Sequence, residues 1–526
     1  MWTVLGGLFM FGMALAIDAE LRDFPGGPTA LADSVAPGAE AMRILRWPAE
    51  RLDTPGGYLT YHNVILLNLA LAVYGAVQGV RAVRGDEERH VAEELLATGV
   101  SRSALVRDRA AGFVATVLVI ALGLGLATAA GLALAGAPDL LGVLVTVGTS
   151  GLVAVVGFAL GLAVSQFLAG SRSAAGVASA VLVVLYVVTN LGAELGPIAA
   201  LRWLSPFHYA NQSRALVPGQ GLDSVATAVL VCMAVGLLWL GAAAFERRDY
   251  AAALWVRRPA STRREEHGER VPTALLGSVW TAALRRGGLG LLAWSAGAAA
   301  LMGLFATLQP SVMEVWTGLD YVAALVGGGA GVGVEDMYWA FVGEMMAPLI
   351  AALVVVRAGG WVGDLAQGRV EMLLTAPVSW SRLVVERTVA LVVEVLAITA
   401  VAVGSLVVGG LTVGGSPDPM GLARSTTMCV LFGAALGGVA ALVVAWVRRP
   451  PAVTLLAAVV AVSYLLTLLV ALFDWPAWLN RLSVFWAFGH PYLEWPPTSA
   501  LVVLSILAVG GTLLAARVAE RTPKVA

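Results

Sequence analysis

Charge is scarce in this chain of 526 residues: 13% is Asp, Glu, Lys or Arg, against 59% hydrophobic residues and a mean hydropathy of +0.84. Soluble domains carry about 25% charged residues, so an ordinary cytosolic protein is excluded. Lysine is nearly absent, with Lys524 alone beside 32 arginines. A P-loop needs a lysine within its glycine-rich loop to hold the terminal phosphates, so no P-loop ATPase site lies in this chain. The two cysteines, Cys232 and Cys429, sit in apolar runs and read as small buried residues. Five histidines (His62, His90, His208, His267 and His490) show no ligand spacing, and neither HExxH nor CxxC occurs, so no metal site is expected. A net charge of −1 gives no basic field for nucleic acid. No arrangement of nucleophile, base and acid stands out, and no catalytic residue is nominated.

What the chain has is long apolar runs. A membrane span needs about 20 apolar residues. Twelve candidates fit: 2–17, 58–80, 110–135, 141–168, 174–192 and 223–244, then 288–307, 338–356, 384–413, 425–446, 452–473 and 498–516. The first lacks the basic leader of a signal peptide and reads as a span. At 16 residues it would cover only about 24 Å, which suggests a native start upstream of Met1. With both termini cytosolic, the inner segments hold 25 of the 33 Lys and Arg residues and the outer ones 8, as the positive-inside rule requires. Segment 474–497 carries Trp475, Trp478, Phe485, Trp486, Phe488, Tyr492 and Trp495, the composition of an outer interfacial belt.

A shift of 278 residues lays the sequence over itself. Nine of the 17 positions from Glu93 to Arg109 are identical to those from Glu371 to Arg387. The same shift pairs Gly85-Asp86 with Gly363-Asp364, Tyr186 with Tyr464, Thr189 with Thr467, and Leu204-Ser205 with Leu482-Ser483. The expected fold is therefore all-α: a polytopic membrane protein of two parallel six-helix repeats, twelve transmembrane helices in all. The repeats span 1–244 and 288–526. Residues 245–287 form a cytosolic linker whose stretch Thr273–Arg286 reads as an amphipathic helix in the inner interface.

The strongest match falls in a charged inner segment, where apolar composition alone does not produce similarity. Asp86 and Asp364 are expected to cap a short helix in each half, with Gln367 at capping-box spacing from Asp364. Val370, Leu373 and Leu374 then form one apolar stripe, and Val91, Leu95 and Leu96 form its counterpart, with Glu371 and Glu93 alongside. Gly99 and Pro377 stop these helices, and Ser101 or Ser379 caps the span that follows. Each segment reads either as a helix lying on the inner leaflet or as a peg that inserts into a cytosolic partner, and two equivalent pegs imply a two-fold partner.

These segments carry a resemblance. Glu371-Met-Leu-Leu-Thr-Ala-Pro-Val-Ser379, followed by Arg382 and Arg387, together with the weaker copy Glu93–Ser101, is similar to the ABC-2 type permeases, especially fused twelve-span exporters of polyketide or ionophore antibiotics in actinobacteria. The resemblance implies a membrane subunit of an ATP-driven exporter of a hydrophobic or amphipathic small molecule. It implies coupling helices at Glu93, Leu95, Leu96, Val100 and Ser101 and at Glu371, Leu373, Leu374, Pro377, Val378 and Ser379, seated in two nucleotide-binding ATPase subunits, alike or different. ATP and magnesium would be bound by those partners, and no cofactor by this chain, which is a transport subunit rather than an enzyme. Short re-entrant helices are implied in loops 193–222 and 474–497. The first copy departs from the family pattern, with Gly99 where proline is usual. The setting is the plasma membrane of a bacterium whose arginine-rich composition reflects a GC-rich genome.

Asn68, Gln78, Gln166, Asn190, Glu344 and Glu394 fall in or near spans. Acids at membrane depth are costly and mark functional sites. Asn68, Glu344 and Glu394 are the candidate substrate-pathway residues, and Glu394 has no titratable partner nearby in sequence. A rival reading, a proton-coupled antiporter, would use Glu344 or Glu394 and need no ATPase. A structural or regulatory membrane subunit without cargo is the third.

Overall fold

The computed structural model describes residues 2–24, 26–41, 48–191, 199–250, 252–254, 278–316, 332–375, 378–472 and 475–521. Among them every regular element is helical. Ten helices are long and apolar enough to cross a membrane, so the chain is a polytopic membrane protein. It folds as two compact units, residues 1–267 and 268–526.

The first unit opens with a π turn, Trp2–Gly6, running into α1 (Gly7–Asp23), so this helix extends six residues past its expected end at Ile17. An outer helix that the apolar pattern does not show, α2, spans Gly27–Ala41. Then come α3 (Pro55–Glu88), the short α4 (Val91–Ala97), α5 (Arg102–Leu134), α6 (Leu140–Ser165), α7 (Ser171–Leu191), the five-residue α8 (Pro206–Ala210) and α9 (Ser224–Arg247). Local chemistry sets the starts. Thr54 Oγ1 accepts from Gly57 N at 3.2 Å with Pro55 at the first helical position, and Asp139 and Asp223 cap α6 and α9. Two π turns, Thr60–Val64 and Arg81–Gly85, interrupt α3.

The second unit contains α10 (Val279–Thr307), α11 (Gln309–Trp316), α12 (Val334–Ala366, with a turn at Met345), the short α13 (Arg369–Leu374), α14 (Trp380–Thr412), α15 (Pro419–Val447), α16 (Pro451–Leu472) and α17 (Thr498–Arg521). The apolar part of α16, Pro451–Thr467, is shorter than a full span. The expected interfacial helix at 273–286 is corrected. Residues 273–277 lie outside the described residues, and 279–286 are the first turns of α10 itself. Glu386 of α14 holds that end, accepting from Val279 N at 2.5 Å and Trp280 N at 3.0 Å, which satisfies amides that have no partner inside the helix.

Packing in the first unit turns on the α3–α6 crossing. A Cβ built at Gly79 would lie 2.0 Å from the carbonyl oxygen of Phe158, and one at Gly161 2.0 Å from that of Ala76. Only glycine permits this approach, and small residues are how membrane helices gain contact where lipid supplies no hydrophobic drive. Gly79→Leu is therefore expected to lower the unfolding midpoint, at a cost of about 1–3 kcal/mol or more. An unchanged midpoint in lipid nanodiscs would show that the crossing relaxes freely. Large apolar side chains such as Leu118, Leu122 and Leu126 of α5 face outward, as lipid contact demands. Cys429 is buried as expected, but Cys232 is exposed on α9.

Candidate functional site

The C-terminal ends of α3 and α12 show the same construction. In each unit a short helix follows a left-handed residue, His90 (φ 62°) or Gly368 (φ 67°), positions related by the 278-residue shift. Glycine meets this turn without strain, while His90 bears a Cβ penalty. The expected caps are not formed: neither short helix has a side-chain N-cap, and Asp364 lies inside α12. Instead Asp86 pairs with Arg109 of α5 at 2.7 Å and Asp364 pairs with Arg387 of α14 at 2.8 Å. Each aspartate thus ties the end of one span to the start of the next, bracketing the short helix. Asp86 also holds Arg89 at 2.9 Å, and Asp364 holds Arg369 at 3.5 Å.

The anchoring residue of the stripe is Val370 in the second unit, 1% exposed, and Ala92 in the first, 0% exposed; Val91, expected there, is only half-buried. The shift of 278 relates Ala92 to Val370, so the register fixes the choice. Leu95 and Val100 rest against the core of the first unit, and Leu96, Leu373, Leu374 and Val378 are half-buried. What faces outward is Glu93, Glu94, Ala97 and Thr98, and Glu371, Met372 and Thr375. Ser101 and Ser379 cap α5 and α14 as expected, accepting from Ala104 N and Arg382 N at 3.2 Å each. Gly99 ends the first short helix with φ 90°, while Pro377 lies outside the described residues.

Beside α4 lies a charged cluster that the sequence did not single out. Glu87 accepts from Arg84 at 3.0 Å and from Arg248, just after α9, at 2.6 Å. All three side chains are at most 2% exposed. Arg248 Nε donates to Gln166 Oε1 at 2.7 Å, and both arginines donate to the carbonyl of Ala252. One knot thus joins α3, the end of α6 and the exit of α9. The shift of 278 puts Val362, Leu365 and Val444 at the places of Arg84, Glu87 and Gln166. Leu365 and Val444 line a small cavity of the second unit with Trp361 and Trp380, to which Arg387 and Arg448 also contribute, and Val362 is buried.

These two units are what the family comparisons match. Residues 3–250 match the family model described as ABC-2 family transporter protein, and residues 276–518 the one described as Multidrug efflux system permease Rv1217c, C-terminal domain. The chain belongs to the ABC-2 transporter permeases. No curated protein matches it. As a permease it is a transport subunit of the membrane.

The permease's polar membrane residues have partners that sequence spacing does not reveal. Glu394 of α14, which has no titratable partner nearby in sequence, accepts from Arg357 of α12, 37 residues away, at 2.6 Å. The pair is close to Gly287 of α10, where an added Cβ would lie 3.1 Å from Glu394 Oε1. Glu344, at the turn in α12, meets His490 Nδ1 at 2.5 Å. Asn68 lines a cavity of about 30 Å³ in the first unit, with Thr146, Ser150, Asn211 and Arg214. Loops 193–222 and 474–497 hold α8 and a 3-10 turn, Ala477–Leu482, where re-entrant helices were expected; residues 192–198 lie outside the described residues.

His490 lies in the outer loop, and its hydrogen bond to Glu344 raises its pKa against the opposing effect of burial, with the charge of Glu494 adding to the rise. Its contribution to stability is complete below the unfolded value of about 6.5 and is lost as pH climbs through the raised folded value. The melting temperature of the permease should therefore fall over that window, and Glu344→Gln should flatten the profile there. An identical slope in the variant would remove this pair as the cause.

Proposed function

We propose that the permease is the membrane subunit of an ATP-driven exporter, and that α4 and α13 are its coupling helices. The reading rests on one observation above others: each unit contains a short helix bracketed by an aspartate–arginine pair, with an acidic outward face. Bracing at both ends lets a push on the short helix reach the spans rather than dissipate in a loop. In this reading Leu95, Leu96, Val100, Leu373, Leu374 and Val378 seat the helices. Glu93 and Glu371 meet the partner. Ser101, Ser379 and Pro377 set where the next span begins.

Two ATPase subunits, alike or different, would bind ATP and magnesium beneath the permease. Their closure can shift the permease between inward and outward access only by contacting the pegs differently in the two states. The cargo is a hydrophobic or amphipathic small molecule moved out of the cell, a reading favoured by the second family model, whose description names multidrug efflux. Both termini then lie in the cytosol, as the arginine distribution indicates. Asn68, Glu344 and Glu394 remain the pathway candidates. Because Glu394 is held by Arg357 and Glu344 by His490, neither acid stands free to carry a proton alone, which favours the ATP-driven reading over the antiporter.

The test is purification of the native permease in mild detergent, with mass spectrometry of what accompanies it. Two P-loop ATPase subunits per permease, and cargo movement in proteoliposomes that requires ATP, are expected. A permease that comes alone and moves cargo under a pH gradient overturns the proposal.

A further inference from the structure

The cavity beside Asn68 contains more unmet hydrogen-bonding capacity than its own walls can satisfy. Asn68 Oδ1, Ser150 Oγ and Asn211 Nδ2 all lack a partner among the described residues, and the three residues are 5%, 2% and 7% exposed. They come from α3, α6 and the turn after α8, yet line one space. Among the described residues its charged walls are Glu50 and Arg214, which neutralise one another at 3.0 Å. Both oxygens of Glu50 are engaged, the second by Gln220. The unpartnered atoms therefore offer one acceptor, one donor and one hydroxyl, and carry no net charge. The corresponding positions in the second unit are Met346, Met428 and Gly489, so the feature belongs to one half only.

We propose that this cavity is a binding subsite for the hydroxyl group of an uncharged, hydroxyl-bearing amphiphile. A hydroxyl donates to Asn68 Oδ1 while accepting from Asn211 Nδ2, and Ser150 takes either role. A cation would find no free carboxylate and an anion no free guanidinium, so charged head groups are rejected by the cost of losing their water. With no ligand, about 30 Å³ accommodates two or three waters, which a hydroxyl replaces bond for bond. The subsite rests on the transport reading only in taking this amphiphile as cargo; binding itself needs no ATPase.

The permease alone, in lipid nanodiscs without nucleotide, is titrated with octyl glucoside below its micelle concentration, and with octyltrimethylammonium and octyl sulfate as chain-matched controls. Octyl glucoside should raise the melting temperature saturably and the charged controls should not. Asn211→Leu should weaken that binding by about tenfold, the worth of one hydrogen bond left unmade. Ser150→Ala, which removes a single atom, should weaken it less and serves if Asn211→Leu fails to fold. Equal responses to all three amphiphiles, or octyl glucoside binding unchanged in both variants, means the cavity holds water only and overturns the inference. Absence of a co-purifying ATPase would sink the exporter reading and leave this titration unaffected.

Discussion

Glu87→Leu is expected to remove about 3–5 kcal/mol from the first unit, because it leaves Arg84 and Arg248 buried, adjacent and alike in charge. The acceptors that stay in place include the neutral carbonyls of Ala252 for both and of Ser165 for Arg84, and Gln166 for Arg248. For a unit of this size the melting temperature should fall by about 10 °C. The informative comparison is the triple change Arg84→Val, Glu87→Leu and Arg248→Leu. Replacing a buried ion cluster by apolar groups is commonly neutral or stabilising, whereas breaking it is not. The second unit already builds its corner from Val362 and Leu365. The triple variant should recover most of the lost stability. If it melts as low as the single variant, packing rather than uncompensated charge is the cause.

Reversing charge on the pegs, with Glu93→Arg and Glu371→Arg together, is expected to abolish ATP-driven transport while leaving the fold intact. Both side chains are exposed and neither takes part in the bracing pairs. Reversal of a charge that meets a complementary partner costs about 2 kcal/mol or more per site, roughly thirtyfold in affinity. The ATPase should be lost from the purified complex, and the melting temperature of the permease alone should stay within a degree or two of wild type. Each single variant shows whether the two pegs engage equally. Full co-purification of an ATPase with the double variant would mean that these glutamates do not contact it.

The helical fold was legible because apolar runs bounded by charge and proline need no tertiary information. The helix α2 was missed because Gly27–Ala41 has too little apolar character to stand out. The inner corners were half legible. The shift of 278 aligned Asp86 with Asp364 and Arg109 with Arg387, but both aspartates were read as caps because capping spacing is local, while each arginine lies 23 residues further on. The partner of Glu87 is 161 residues away and that of Glu344 is 146 residues away, distances at which one sequence carries no pairing signal. Asn68 was visible as a polar residue in an apolar run. The cavity was not, since it needs Asn211 brought back over the membrane edge by the loop around α8.

The two π turns of α3 have a consequence for register. Each stores one residue beyond the α-helical count, and they flank Ile65–Val80, the segment that carries Asn68, Gly75 and Gly79. Passing one residue from one turn to the other would rotate that segment by about 100° and advance it by about 1.5 Å. Such a step swings Asn68 out of its cavity and drives larger side chains into the glycine contacts on α6. In the second unit α12 is interrupted by a one-residue turn at Met345 and, among the described residues, has no π turn, so this screw-like travel has no counterpart there.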